Sequence, residues 1–182
     1  MKKILALVLV ICFVTACKNG TESGSSKVNQ SYEGKSFKFE HPGDWTITDE
    51  EDMGGGIFYI AVEKNGFDSS GLFMVTSFSY PLELDDTIEL SMEDYETNTY
   101  IKNLEVSPIV DDTFNGMSSR SANFNFRTFG LKHNGKIHAF NFEDSSFIVI
   151  KQEATEDQKK NAQGFSLLEN SFEIPSMETT ME

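Results

Sequence analysis

The chain has 182 residues, of which 38% are hydrophobic and 24% are charged, a balance typical of a folded globular protein. Its 29 Asp and Glu residues against 15 Lys and Arg give a formal net charge of −14, which argues against nucleic-acid binding, because nucleic-acid binders need a basic surface. The length predicts one domain with a short additional segment, and the acidity predicts a domain that stays off anionic lipid surfaces.

The N-terminus has the pattern of an export signal, predicted over residues 1–16. Lys2 and Lys3 precede an apolar run over residues 4–14. As a helix this run is about 16 Å long, too short for a bilayer core of about 30 Å. The run ends in the sequence VTAC at residues 14–17, which resembles the bacterial lipoprotein box. The resemblance implies cleavage before Cys17 and lipidation of its sulfur; a secreted chain without lipid is the alternative.

Lipidation would use the one cysteine that remains in the mature chain, because Cys12 is removed with the signal. The mature domain then has no disulfide, no zinc–thiolate site and no cysteine nucleophile. Acyl chains contribute about 0.8 kcal/mol per buried methylene, so several chains anchor a protein stably. We therefore expect a lipid anchor with the domain outside the cytoplasm. Where the envelope has two membranes we expect the outer one, because Lys18 does not resemble an inner-membrane retention signal.

The segment after Cys17 is predicted to be a tether that ends at residue 34. Residues 18–32 are rich in Gly, Ser, Asn and Thr, which predicts a flexible coil spanning about 20 Å. Residues 35–176 are predicted to form the folded domain, and residues 177–182 a polar tail.

The first half of the domain predicts four strands. Apolar and polar residues alternate from Ser36 to Glu40, and residues 45–48, 57–62 and 72–80 are also rich in strand-forming types. Residues 49–56, which are acidic and then glycine-rich, are predicted to be a loop. A capping box at Ser91 predicts the start of the first helix, whose apolar face includes Met92 and Tyr95.

The second half predicts four more strands and a helix. Residues 104–110 are extended, and the Asn-Gly pairs at 115–116 and 134–135 predict hairpin turns that bound strands around 122–126 and 137–142. Residues 147–150 are apolar on both faces, which predicts a central strand. A capping box at Thr155 predicts the last helix, with Phe165, Leu168 and Phe172 facing the core. The dominance of hairpins predicts an α+β fold with a mainly antiparallel sheet packed between or against two helices.

The opening of the domain resembles the PsbP-like superfamily, whose members begin with an aromatic strand, a proline turn and a tryptophan. Phe37, Phe39, Pro42 and Trp45 occupy those positions. The resemblance continues through a helix with Ser91, the hairpin at 115–116 and a Ser-Phe pair at 171–172, so it covers about residues 35–175. It is strongest with the uncharacterised bacterial lipoproteins of the superfamily. It implies an antiparallel sheet between helices and a binding or assembly role rather than an enzymatic one.

No catalytic motif stands out in the sequence. Gly-x-Ser-x-Gly, Ser-x-x-Lys and phosphate-loop patterns do not occur. Ser118, Ser119 and Ser121 would form a triad only if the fold brought a histidine and a carboxylate to one of them. The acidic run 49–52 offers calcium ligands, but four adjacent residues cannot all face one ion, and residues 111–116 match only the start of a calcium loop. No catalytic residue, metal ligand or cofactor is predicted.

Three apolar side chains in polar turns are candidate partner-binding residues: Phe67, Phe129 and Leu131. The alternative is that they fold back as loop anchors. The sequence thus predicts a membrane-anchored lipoprotein with a non-catalytic domain that binds an envelope protein and no nucleic acid. An envelope small-ligand or metal-binding protein, or a hydrolase, is the alternative. A deep pocket with polar groups would favour the alternatives, and an apolar patch near Phe67 or Phe129 would favour partner binding.

Overall fold

The computed structural model describes residues 28–66 and 69–175. Five strands, a helix, five strands and a second helix follow one another along these residues. The strands are β1 Gln30–Glu33, β2 Lys38–His41, β3 Trp45–Gly54, β4 Ile57–Lys64, β5 Leu72–Phe78, β6 Lys102–Val106, β7 Val110–Phe114, β8 Met117–Thr128, β9 Leu131–Phe142 and β10 Ser145–Ala154. The helices are α1 Leu84–Thr97 and α2 Gln158–Asn170, the latter preceded by a 3₁₀ turn, Thr155–Asp157.

One antiparallel sheet dominates the fold. Its strands run in the order β3-β4-β5-β10-β9-β8-β6. β6 pairs with the second half of β8, and β7 pairs with the first half along the same edge. β1 and β2 form a separate antiparallel hairpin. The predicted α+β class is confirmed. The prediction that residues 147–150 form a central strand is also confirmed, because β10 is the middle strand of the seven in this order.

The two helices lie on opposite faces of the sheet. Alternate strand residues point to opposite faces, so Phe73 and Val75 pack with α2 and the β1–β2 hairpin, whereas Met74 packs with α1. Successive residues of β10 are buried on both faces, which explains why this strand is apolar at successive positions. Phe165, Leu168 and Phe172 are buried on the α2 side, as the helical spacing predicted.

The face beneath α2 is largely aromatic. Trp45 is 1% exposed, and its ring packs edge-on against Phe165 with 5.1 Å between ring centres. A Cβ on Gly71 or on Gly164 would lie 2.7 Å from the Trp45 ring, so the absence of a side chain at both positions makes room for the indole. The tryptophan of the opening motif therefore anchors α2 to the sheet.

The folded domain begins earlier than predicted. β1 lies inside the segment that the sequence assigned to the tether, and Tyr32 is buried against the Phe39 ring with 5.0 Å between ring centres. Its hydroxyl donates a hydrogen bond to Glu50 Oε1 at 3.0 Å. A single aromatic residue in a polar stretch shows no periodicity, so the sequence did not indicate this strand.

One of the two predicted Asn-Gly hairpins is wrong. Asn115 and Gly116 form the β7–β8 turn with φ values of 46° and 80°, as predicted. Residues 134 and 135 lie inside β9, and the β8–β9 turn is instead made by Phe129 and Gly130, with φ values of 49° and 84°. The Phe124 ring covers Gly135 from the paired strand, a contact that keeps this glycine in the sheet.

The local helix and loop signals also misplaced boundaries. α1 begins at Leu84, and Ser91 is inside it, where its hydroxyl donates to the Thr87 carbonyl at 2.8 Å. The Thr155 hydroxyl donates to the Lys132 carbonyl, and no side chain caps α2. The predicted acidic loop is mostly strand, because β3 extends to Gly54. Pairing with β4 overrides the low strand propensity of the acidic residues.

Candidate functional site

Two of the predicted partner-binding residues come together at the β8–β9 turn. Phe129 is 67% exposed and Leu131 is 41% exposed, so neither is a buried loop anchor. Cys17, the predicted lipidation site, and Phe67, the third candidate, lie outside the described residues. On either side of residues 67 and 68, the Ser69 backbone N–H donates a hydrogen bond to the Gly66 carbonyl at 3.3 Å.

A second exposed aromatic residue, Tyr100, lies against this turn. The Tyr100 ring, which follows α1, stacks on Phe129 with 5.8 Å between ring centres and an interplanar angle of 27°. Tyr100 is exposed, and the sequence analysis missed it because nothing local links it to residue 129. We call Tyr100, Phe129 and Leu131 the aromatic tip.

A row of basic residues lies beside the aromatic tip. Lys102 pairs with Arg127 across β6 and β8, and Arg127 pairs with Lys132 across β8 and β9, so the three residues form one row. All three are exposed, and no ion pair within residues 28–66 and 69–175 involves them. The row is therefore a local group of positive charges in a chain with a net charge of −14. The acidic residues Glu156 and Asp157 lie at the same end of the sheet.

The aromatic tip lies at the end of the sheet where the chain enters the domain. Gln30, the first residue of β1, pairs with His41, and three residues separate His41 from Trp45 at the start of β3. Because neighbouring strands are antiparallel, the start of β3 and the end of β8 lie at the same end of the sheet. Gln30, the first strand residue, therefore lies at the same end of the domain as the aromatic tip.

The fold does bring a serine, a histidine and a carboxylate together, but not as a triad. Ser119 Oγ lies 3.1 Å from His138 Nδ1, and Asp112 Oδ2 lies 4.0 Å from the same nitrogen. A catalytic triad needs the serine and the carboxylate on opposite nitrogens of the imidazole. Ser119 and His138 are also buried, each only 5% exposed. The cluster has the geometry of a structural polar group.

The remaining partners of this cluster support a structural role. Asp112 Oδ2 accepts hydrogen bonds from Lys136 Nζ at 2.6 Å and from Ser121 Oγ at 2.7 Å. These donors hold the pKa of Asp112 far below its ordinary value. Burial, with Lys136 adding to it, lowers the pKa of His138 to about 4. At neutral pH the cluster is a neutral imidazole beside a paired carboxylate.

The described part of the chain has neither a metal-binding cluster nor a membrane-spanning helix. No group of three or more His, Cys, Asp or Glu side chains there is arranged to hold a metal ion. Neither α1 nor α2 is long and apolar enough to cross a membrane. The aromatic tip and its basic row remain the surface feature that most clearly suits a partner.

Comparison with known proteins gives structural likeness without sequence likeness. No family model matches the chain, and no curated protein sequence matches it. The solution structure of the cyanobacterial PsbP, CyanoP, from Synechocystis sp. PCC 6803 superposes with a TM-score of 0.56 at 11% identity, covering 86% of this chain and 99% of that chain.

Two crystal structures are also similar. LpqN of Mycobacterium tuberculosis, described as involved in cell envelope biogenesis, has a TM-score of 0.51 at 8% identity and covers 80% of this chain and 91% of its own. A protein of Bacteroides thetaiotaomicron VPI-5482 has a TM-score of 0.51 at 12% identity, and the match covers 81% of this chain but 48% of that one. At such identities the likeness concerns the fold. The chain has a PsbP-like α+β fold, as its opening motif from Phe37 to Trp45 had implied.

Proposed function

We propose that this chain is a lipid-anchored protein of the bacterial cell envelope whose PsbP-like domain is a non-catalytic binding module. The sequence VTAC ending at Cys17 supports the anchor. The likeness in fold to a protein involved in cell envelope biogenesis supports the setting. The non-triad geometry of Ser119, His138 and Asp112 supports a role other than hydrolysis.

The partner of the aromatic tip is, in this proposal, the anionic headgroup layer of the membrane that holds the anchor. The observation that carries it is the placement of the tip and its basic row at the end where the chain enters the domain. Each Lys or Arg near an anionic leaflet contributes about 1 kcal/mol. Aromatic rings such as Phe129 and Tyr100 suit the boundary between headgroups and acyl chains.

A membrane suits this surface better than a protein partner does. A stable protein interface buries about 800 Å² on each side, which is far more than the three side chains of the aromatic tip supply. A weak contact is sufficient for a membrane, because an anchor at Cys17 would hold the domain at a high local concentration. The following experiment distinguishes docking on lipid from docking on a protein partner.

The test uses a cysteine probe at the tip. Once Cys12 is removed and Cys17 is lipidated, the mature chain has no other thiol, so Leu131→Cys accepts a single environment-sensitive fluorophore. Asp144→Cys, in the β9–β10 turn at the opposite end of the sheet, is the matched control. The lipidated proteins are reconstituted into vesicles of phosphatidylcholine with or without phosphatidylglycerol.

We expect the emission of the Leu131→Cys probe to shift to the blue with phosphatidylglycerol, and that of the Asp144→Cys probe to stay unchanged. Equal responses at the two sites would contradict docking through the tip. A response that appears only when solubilised envelope proteins are added would replace the lipid surface with a protein partner.

A further inference from the structure

α1 leaves part of its face of the sheet uncovered. The helix packs over β8 and β9, while β4, β5 and β10 lie beside it. The open strip forms a groove with a cavity volume of about 140 Å³. We call it the α1 groove and define it by a floor of Tyr59, Thr76 and Ile148 and a wall of Ser91, Asp94 and Tyr95.

Strand register determines the floor of the groove. Tyr59 pairs with Thr76, and Thr76 pairs with Ile148, so the three side chains form one row across β4, β5 and β10. Met74 and Ile150 form the next row and are buried beside it. The floor is therefore part of the rigid sheet, and the apolar surface is preformed.

Aromatic rings contribute much of the lining. Tyr80, near one end of the groove, packs edge-on against Phe78 with 5.7 Å between ring centres. The Tyr95 hydroxyl donates to Gln152 Oε1 at 2.7 Å, and its ring is buried edge-on against Phe124, so Tyr95 is a fixed part of the wall. Aromatic faces attract cations as well as apolar groups.

Asp94 is the only charged residue that lines the groove among the described residues. No lysine, arginine or histidine shares the lining, and no ion pair in residues 28–66 and 69–175 involves the Asp94 carboxylate. Burial raises its pKa, and the neighbouring charge of Glu93 raises it further. A carboxylate in an apolar groove without a cationic partner gains most from a cationic ligand.

We propose that the α1 groove binds a small organic cation, with an ammonium group against Asp94 and an apolar ring over Tyr59, Thr76 and Ile148. The size follows from the volume, because a cavity of about 150 Å³ accommodates benzene. The positive charge of the ligand follows from Asp94, whose carboxylate repels carboxylates and phosphates. This inference does not depend on the lipid anchor or on the aromatic tip.

The experiment is a titration of the mature, lipidated chain in lipid nanodiscs with three probes of one shape. Benzylamine carries the cation, benzyl alcohol is neutral and benzoate is an anion. Calorimetry measures affinity, and methyl NMR signals of Ile148 and Ile150 report whether the probe occupies the groove. Asp94→Asn removes the charge, and Glu96→Gln, on the same last turn but exposed, is the matched control.

We expect benzylamine to shift the Ile148 methyl signal and to bind at least about tenfold more tightly than benzyl alcohol, with no shift from benzoate. Asp94→Asn should weaken benzylamine binding at least about tenfold, and Glu96→Gln should change it less than about twofold. Absence of a benzylamine shift at Ile148, or equal affinity of the amine and the alcohol, would overturn the proposal. Undiminished benzylamine binding by Asp94→Asn would do the same. The probe comparison on the unaltered chain decides the matter even if Asp94→Asn does not fold.

Discussion

The Phe124 ring on β8 lies directly against the backbone of Gly135, its paired residue on β9. A Cβ on Gly135 would lie 2.2 Å from Phe124 Cζ and 2.5 Å from Cε2, well inside van der Waals contact. The ring also packs edge-on against Tyr95 of α1, with 5.0 Å between ring centres. Phe124 therefore has neighbours on both sides and little room to move.

Gly135→Ala should destabilise the domain, although alanine usually suits a strand interior better than glycine. The added methyl group has to displace the Phe124 ring, and overpacking of this kind costs about 1–3 kcal/mol. Urea unfolding followed by far-UV circular dichroism measures the change in the free energy of unfolding.

A double-mutant cycle identifies the cause of that loss. In Gly135→Ala, the further change Phe124→Leu should cost less than it does in the unaltered chain, because it also relieves the clash. Simple addition of the two costs would show that the ring contact is not responsible.

Cys17→Ser should move the protein from the membrane fraction to the soluble fraction. Loss of the thiol removes the attachment point of the acyl chains, which contribute about 0.8 kcal/mol per buried methylene. Fractionation with immunodetection measures the distribution, and Ser25→Ala in the predicted tether is the control. Persistence of Cys17→Ser in the membrane fraction would refute the lipid anchor.

Arg127→Gln combined with Lys132→Gln should weaken binding to phosphatidylglycerol vesicles. Each lost charge costs about 1 kcal/mol, or roughly a fivefold loss of affinity. Vesicle co-sedimentation of the chain released by Cys17→Ser measures it, at two salt concentrations because the attraction is screened. Lys35→Gln, an exposed charge in the β1–β2 turn, is the control. An equal loss in Lys35→Gln would indicate attraction without a defined surface.

The stability of the domain should fall between about pH 6.5 and pH 4. Burial, with Lys136 adding to it, lowers the pKa of His138 from 6.5 to about 4. In this window the unfolded chain binds a proton that the folded chain does not, so unfolding becomes more favourable as the pH falls, by up to about 3 kcal/mol.

Urea unfolding at pH 7.5, 5.5 and 4.5 measures this dependence, and His138→Gln should reduce the slope. Carboxylates whose pKa is lowered in the folded state, such as Asp112, lose their contribution only below about pH 4 and so fall outside this window. An unchanged slope in His138→Gln would assign the dependence to other groups.

The sequence predicted those parts of the fold that depend on the spacing of residues within one element. The spacing of Phe165, Leu168 and Phe172 predicted a helix face because helical periodicity is a property of consecutive residues. The same argument failed at residues 134 and 135, because the ring that stabilises Gly135 in the sheet comes from another strand. Phe129 was predicted as a partner-binding residue because it is an apolar residue in a polar turn. Tyr100 was not predicted, because only the fold brings it to Phe129.

Taken alone, the sequence determined features that depend on consecutive residues: the export signal pattern, the cysteine at its end, the α+β class and the aromatic opening motif. Only the tertiary structure decided which charges and rings share a surface, because those contacts join residues far apart in the chain. Strand pairing alone assembles the basic row of Lys102, Arg127 and Lys132 in a chain with a net charge of −14. The groove beside Asp94 exists because α1 covers one part of the sheet and leaves the rest open.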